Sequence, residues 1–316
     1  MDDEAYSPLE LSHTARYDIR GVSYLVRKWG LDSAPPLVLL HGNRDTSTTF
    51  QFLVDSLKGS WRIIAPDWRG HGQSHCESHS WLHDYVADLD SLLHTLVPNQ
   101  AVDLVGHSLG GNIASVYAGL CPERVRHLVS LDAFGTLAPS EAGIADLLGD
   151  WLRSAHSKPA HKRYHSTTQM AEKLCSTNGR LSWDKALYLA LNLSRPLADG
   201  GFAWQFDGVR RRSMPTFHTL REWTACWSRI TAPTLWVAAA DALPGTVRSN
   251  PEAFAFVCER IGPNSLVFLP DSGHNMHHDA PAPLADIIEK FLSDNTHVVP
   301  SAQPNAARSV GKIAAE

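Results

Sequence analysis

The sequence has little of what marks a membrane-spanning or secreted protein. It contains no apolar run approaching the roughly 20 residues that cross a bilayer, and its first residues, Met1 to Tyr6, lack the basic and apolar segments of a signal peptide. Its five cysteines are spread widely and never stand in C-x-x-C spacing, so they indicate neither a disulfide framework nor a zinc site. We therefore expect a cytoplasmic protein without a membrane span.

Charge is also scarce. Charged residues make up 19% of the chain and the formal net charge is −5, whereas a nucleic-acid-binding protein carries a basic excess. Arg210, Arg211 and Arg212 form a basic cluster, which is more typical of a solvated face than of a site for an anionic partner. With 43% apolar residues the chain is an ordinary globular protein, and we expect small, mostly uncharged partners and no nucleic acid.

Short apolar segments alternate with helical patterns along most of the chain. The segments at residues 36–40, 62–65, 101–105, 127–131, 234–239 and 265–269 are short enough to be buried parallel strands, and residues 15–28 alternate like a strand pair turning at Gly21. Eight strands with interleaved helices predict an α/β fold with a doubly wound, mostly parallel sheet. Ligands of such sheets bind at the carboxyl ends of the strands.

The alternation stops between residues 136 and 230, where helical patterns occur without a convincing core strand. We interpret this segment as a helical cap inserted into a core formed by residues 1–135 and 231–292. Half of the ten tryptophans fall in the cap. They pack either over the sheet or in a small core of the cap itself, and the two interpretations are compatible. Residues 293–316 are poor in apolar side chains, which predicts a disordered tail.

A serine stands between a predicted strand and a predicted helix, in the sequence Gly106-His107-Ser108-Leu109-Gly110. Glycines two residues before and after a serine let strand and helix backbones approach without Cβ clashes, and the strained turn presents the hydroxyl. The positive end of the following helix points at the space where an oxyanion would develop. These features predict Ser108 as a nucleophile.

Serine needs a general base and an acid to orient that base. His274 follows the last predicted strand and is the expected base. Asp241 ends the preceding strand and is the preferred acid, although Asp132, at the end of an earlier strand, is the alternative. Asn43 and Leu109 are expected to supply the backbone N–H groups of an oxyanion hole, because Asn43 follows the strand beside the serine turn.

Two other polar groups have simpler interpretations. Arg44 and Asp45 are adjacent and are expected to pair on the surface.

Histidines recur every four residues at positions 71, 75, 79 and 83, and on one face of a helix such a series would suit a metal. A glycine interrupts the stretch, however, so exposed loop histidines are favoured over metal binding.

Taken together, these motifs resemble those of α/β-hydrolase-fold serine hydrolases, of the esterase, lactonase and C–C hydrolase-like branch with a helical cap. The resemblance rests on His41-Gly42, on D-W-R-G-H-G-Q-S at residues 67–74, on the serine pentapeptide and on Gly273-His274. It implies a triad of Ser108, Asp241 and His274, although Ala238 replaces a glycine common in relatives. No metal or organic cofactor is implied.

The expected activity is hydrolysis of a carboxylic ester, thioester or lactone through an acyl-enzyme intermediate, with a small, partly apolar acyl substrate. Fold does not fix function, so a C–C bond hydrolase, an acyltransferase or a small-molecule receptor with little turnover stay as alternatives.

Overall fold

The computed structural model describes residues 4–76, 80–155, 162–205, 218–262 and 265–294. The predicted disordered tail lies outside the described residues from residue 295 onward, and so does the basic cluster at residues 210–212.

Eight strands form one sheet in the order β1-β2-β4-β3-β5-β6-β9-β10. Their bounds are His13–Ile19, Val22–Trp29, Arg62–Pro66, Pro36–Leu40, Val102–His107, Val125–Leu131, Thr234–Ala239 and Leu266–Leu269, in that spatial order. β1 and β2 pair antiparallel, and β2 pairs antiparallel with β4, whereas every later pair is parallel. The predicted doubly wound, mostly parallel sheet is confirmed.

The sheet is covered by apolar clusters on both faces, and its central strand β3 is apolar at every position. In β3 alternate residues face opposite ways, so Val38 and Leu40 join one apolar cluster and Leu37 and Leu39 the other. The first cluster includes side chains of α2 (Leu82–Leu96), α3 (Leu109–Leu120) and α8 (Pro251–Ile261). The second includes side chains of the short helices α1 (Gln51–Val54) and α9 (Met276–Asp279) and of α10 (Pro281–Ser293).

The described residues between β6 and β9 add no strand to the main sheet. They form α4 (Glu141–Ala155), α5 (Thr167–Thr177), α6 (Trp183–Leu193), α7 (Leu220–Trp227) and a separate two-stranded ribbon of β7 (Ser194–Pro196) and β8 (Phe202–Trp204). The helical patterns that the sequence shows in this segment thus correspond to helices in the structure.

Tryptophans of this inserted segment occur in two different apolar clusters. Trp204 packs with α5 and α6 in a small separate cluster, which also includes Phe52 of α1. Trp223 and Trp227 of α7 instead join the main core beside the sheet. Both packing interpretations of these tryptophans therefore apply, each to different residues.

Among the described residues, no helix has the length and apolar character needed to cross a membrane. The cytoplasmic location expected from the sequence stays a prediction.

Candidate active site

Ser108 occupies the turn between β5 and α3 in a strained backbone conformation. Its φ is +51° and its ψ is −114°, a region that side-chain-bearing residues rarely adopt. The turn is held from both sides, because the Ser108 N–H donates to the carbonyl of Leu131 on β6 at 2.9 Å and the Ser108 carbonyl accepts from Asn112 at 3.0 Å. The neighbouring strand and the helix thus fix the direction in which the hydroxyl points.

Two glycines make this turn sterically feasible. A Cβ at Gly106 would stand 2.5 Å from the carbonyl oxygen of Gly110, and a Cβ at Gly110 would stand 2.1 Å from the carbonyl oxygen of Leu40. Real Cβ atoms do not approach an oxygen so closely, so only glycine lets α3 begin this close to β3 and β5.

His274 lies on the loop between β10 and α9, with its ring between a hydroxyl and a carboxylate. Nε2 is 3.0 Å from Ser108 Oγ, and Nδ1 is 2.8 Å from Asp132 Oδ2. Because a carboxylate only accepts, Nδ1 carries the hydrogen and Nε2 is the acceptor for the Ser108 hydroxyl. The predicted proximity of Ser108 and His274 is present, and the chain of hydrogen bonds can carry a proton away from the hydroxyl.

The preference for Asp241 as the carboxylate beside His274 was wrong, and the alternative, Asp132, makes that contact. The Asp132 side chain is 2% exposed, whereas that of Asp241 is 65% exposed. Asp241 Oδ2 instead accepts a hydrogen bond from Arg180 Nη2 at 2.6 Å, in the loop between α5 and α6.

The backbone at the end of β6 explains why Asp132 turns inward. Its φ is +47°, its N–H donates to the Val237 carbonyl at 2.8 Å, and its Oδ1 accepts from the Ala239 N–H at 3.3 Å. The adjacent strand β9 therefore aligns the carboxylate toward His274.

A buried cation, Arg248, lies behind the same carboxylate. Nothing in the sequence alone indicates this role for Arg248. Its Nε is 3.7 Å from Asp132 Oδ1, its Nη2 donates to the Ala239 carbonyl at 2.5 Å, and its side chain is 7% exposed. The guanidinium carbon lies 5.1 Å and 5.0 Å from the ring centres of Phe254 and Phe268, within cation–π range. The positively charged guanidinium of Arg248 thus faces the Asp132 carboxylate on the side away from His274.

The loop after β3 lies directly against the serine. A Cβ at Gly42 would be 3.2 Å from Ser108 Cβ, so glycine permits the close approach of this backbone. His41 braces the loop: its Nε2 accepts from the Trp68 N–H at 2.8 Å, which leaves Nδ1 to donate to the Gly42 carbonyl at 2.8 Å. Leu109, the first residue of α3, follows Ser108 directly in the chain, and Asn43 follows Gly42 on the loop that packs against the serine. The role of their N–H groups stays a prediction.

Several imidazoles around the site are buried and uncharged. Burial lowers the pKa of His41 and of His277 to about 3, and it holds the pKa of His107 and of His278 well below its ordinary value. His71 is also buried and its pKa is lowered for the same reason, so the expectation of an exposed loop histidine was wrong there. His75 and His83 are exposed, whereas His79 lies outside the described residues.

Asp45 does not pair with Arg44 on the surface as expected. It is buried, and its carboxylate accepts hydrogen bonds from the Thr46 N–H and the Thr49 hydroxyl, both at 2.9 Å. Arg44 is exposed at the rim of the same loop.

A cavity of about 400 Å³ opens beside His274. Its core side includes Asn43 and His107, and its other side is formed by the inserted segment. Those inserted residues include Tyr164, Leu181, Leu189, Leu193 and Trp204. The cavity thus has polar side chains, among them His274, on one side and apolar side chains on the other, an arrangement typical of small-molecule sites.

Residues 37–287, which are most of the chain, match the Alpha/beta hydrolase family. The chain belongs to this family. A serine hydrolase-like protein of Danio rerio is 27% identical over 277 residues, which cover 84% of this chain and 83% of that protein. Serine hydrolase-like protein 2 of Homo sapiens is 25% identical over 303 residues, which cover 87% of this chain and 92% of that protein.

Among solved structures, a thioesterase domain from the curacin biosynthetic pathway superposes with a TM-score of 0.76 at 26% identity. The match covers 88% of this chain and 99% of that domain. The predicted resemblance to α/β-hydrolase-fold serine hydrolases is therefore confirmed, and the chain is a member of a hydrolase family.

Proposed function

We propose that this α/β hydrolase cleaves a carboxylic ester, thioester or lactone through an acyl-enzyme on Ser108. The observation that carries the proposal is the continuous hydrogen-bonded series Ser108–His274–Asp132, with distances of 3.0 Å and 2.8 Å. The three side chains match the roles of nucleophile, general base and orienting acid.

His274 accepts and releases a proton in each half of the cycle, while Asp132 stays ionised. Ser108 Oγ forms a bond to the substrate carbonyl carbon while its hydrogen passes to His274 Nε2, and Asp132 stabilises the imidazolium that forms. The same proton then passes to the leaving oxygen or sulfur as that bond breaks. A water attacks the acyl-enzyme in the same way, releasing the acid and restoring the Ser108 hydroxyl.

The oxyanion of each tetrahedral intermediate needs donors that are already oriented. We assign this role to the backbone N–H groups of Asn43 and Leu109. Leu109 begins α3, so its N–H lies at the positive end of a 12-residue helix.

The substrate we propose is small and partly apolar, bound under residues 136–230 acting as a cap. The apolar wall contributed by Leu181, Leu189, Leu193 and Trp204 supports this choice, since it faces the cavity beside His274. Similarity to a thioesterase domain supports keeping thioesters in the panel. A cytoplasmic location, no organic cofactor and no nucleic-acid partner are part of the same proposal.

A substrate panel tests the proposal. Purified wild-type protein and Ser108→Ala are assayed with p-nitrophenyl esters of increasing acyl length, an acyl thioester and a lactone. We expect turnover of at least one class by the wild type and loss of about 10³-fold or more in the variant.

The alternatives give different outcomes. Ligand binding detected by thermal shift without turnover of any substrate would indicate a receptor. Ester turnover that survives in Ser108→Ala would contradict the role of the serine. Cleavage of a β-diketone but of no ester would indicate a C–C hydrolase, and transfer of the acyl group to an added alcohol in preference to water would indicate an acyltransferase.

A further inference from the structure

Beside the proposed triad, a second group of polar side chains has no part in ester hydrolysis. Asp45 follows β3, His107 ends β5 and His277 lies in α9, three separate elements that meet at the carboxyl edge of the sheet. One donor atom from each lies within 4.8 Å of the other two, and all three residues are buried.

The hydrogen bonds of His107 fix which of its nitrogens is available. Nε2 lies 2.7 Å from the carbonyl oxygen of His274, and because a carbonyl only accepts, Nε2 carries the hydrogen. Nδ1 is therefore the unprotonated nitrogen, and among the described residues it is buried and without a hydrogen-bond partner. Histidines that bind metals commonly donate their other N–H to a carbonyl or carboxylate in this way.

The backbone of Gly42 lies close to His107 Nδ1. A Cβ at Gly42 would stand 2.8 Å from His107 Nδ1, so any other residue would crowd it. Asp45 and His107 also line the cavity beside His274, which gives an ion a path from solvent.

His277 and Asp45 supply the remaining donors. His277 Nε2 is 3.6 Å from Asp45 Oδ2 and 3.4 Å from Thr49 Oγ1, while the buried Nδ1 of His277 has no hydrogen-bond partner in the described part of the chain.

We propose that Asp45, His107 and His277 bind a divalent transition metal of the zinc class at the wall of the active-site cavity. Two imidazoles and a carboxylate suit Zn²⁺ or Co²⁺ rather than Mg²⁺ or Ca²⁺, which prefer oxygen-only sets. Zinc–ligand bonds are ~2.0–2.2 Å, so shifts of the side chains by about 1 Å bring the donors into range, with the cavity side left for water.

The His107 ring packs against the His274 ring with centres 4.8 Å apart, so the proposed metal site lies directly beside the proposed catalytic base.

Titration with Zn²⁺, followed by calorimetry, and with Co²⁺, followed by visible absorption, tests the site without any assay of catalysis. We expect one ion per wild-type chain, and affinity weaker by about tenfold or more in Asp45→Asn and in His277→Gln. The matched control is His94→Gln, which removes an exposed histidine paired with Asp90 and is expected to bind as the wild type does. Far-UV circular dichroism and thermal unfolding establish that each variant is folded.

Two further variants separate this proposal from the proposed hydrolase activity. Ser108→Ala and His274→Gln are expected to bind one Zn²⁺ ion with unchanged affinity, whatever they do to turnover. Loss of binding in His274→Gln would put the ion on the proposed catalytic base and overturn the assignment. Equal affinity of wild type, Asp45→Asn and His277→Gln, or no stoichiometric binding, would overturn it as well.

Discussion

His274 and Asp132 are 142 positions apart in the sequence, yet Nδ1 of the histidine donates to Oδ2 of the aspartate across 2.8 Å. The contact joins the loop after β10 to the end of β6, with β9 between the two strands. It determines the tautomer of His274 and thereby leaves Nε2 free to accept the Ser108 hydrogen.

Replacing each of the two candidate acids in turn tests this contact. Asp132→Asn keeps the shape but removes the charge that stabilises the imidazolium, so kcat is expected to fall by about 10⁴-fold. Asp241→Asn removes only an exposed ion pair with Arg180, worth under about 1 kcal/mol, and is expected to leave kcat within about twofold. Steady-state kinetics on one ester compare the two, and the reverse order of effects would restore Asp241 as the acid.

Arg248 is expected to act on the reaction through Asp132. Arg248→Met removes the cation that faces Asp132 Oδ1 at 3.7 Å, so the carboxylate is less firmly oriented and kcat is expected to fall by about tenfold. Arg248→Lys retains the charge and is expected to retain more of the wild-type kcat. Steady-state kinetics on one ester compare the variants, and an unchanged kcat in Arg248→Met would mean that the guanidinium only supports packing.

The buried neutral histidines make stability sensitive to acid. The folded-state pKa of His41 and of His277 is about 3, below the value of about 6.5 in an unfolded chain, so the unfolded state binds more protons as the pH falls. Their contribution is intact above about pH 6.5 and is lost progressively toward pH 3.

Urea unfolding at several pH values measures this loss. We expect the free energy of unfolding to fall by on the order of 2 kcal/mol for each of the two histidines between pH 6.5 and 5. In His277→Gln the free energy of unfolding should fall less over this interval, by about the amount expected for one histidine, although the variant is expected to be less stable at neutral pH. A stability that does not change over this interval would mean that these rings take up protons in the folded state.

The close approach of α3 to β3 predicts a large penalty at Gly110. Gly110→Ala forces a Cβ to within 2.1 Å of the Leu40 carbonyl oxygen, and the backbone must shift. We expect a loss of about 3 kcal/mol or more in the free energy of unfolding. Gly179→Ala is the matched control, because an added Cβ there meets no atom within 4 Å. Equal stability of the two variants would show that the turn between β5 and α3 tolerates a side chain at residue 110.

The sequence was sufficient for the sheet, the serine and the histidine because each has a local signature. β3 is buried on both faces and is therefore an uninterrupted apolar run, β5 is mostly apolar, and polar side chains follow at or directly after the carboxyl ends of both strands. Ser108 has in addition two glycines that only a tight strand-to-helix turn requires.

The choice between Asp132 and Asp241 had no such signature. Both follow strands, and what separates them is the positive φ of Asp132, its hydrogen bonds to β9 and the cation of Arg248. These come from elements far apart in sequence. Burial of Asp45 was missed for the same reason: its partners Thr46 and Thr49 are local, but the imidazole that covers it comes from α9.

Active-site labelling measures the reactivity of Ser108 most directly. The wild-type protein is treated with a fluorophosphonate, digested, and the modified peptide is identified by mass spectrometry, with His274→Gln and Asp132→Asn treated in parallel. We expect one label per chain, attached to Ser108, and a much slower reaction in both variants. Labelling at another residue, or at Ser108 with the same rate in all three proteins, would contradict the account.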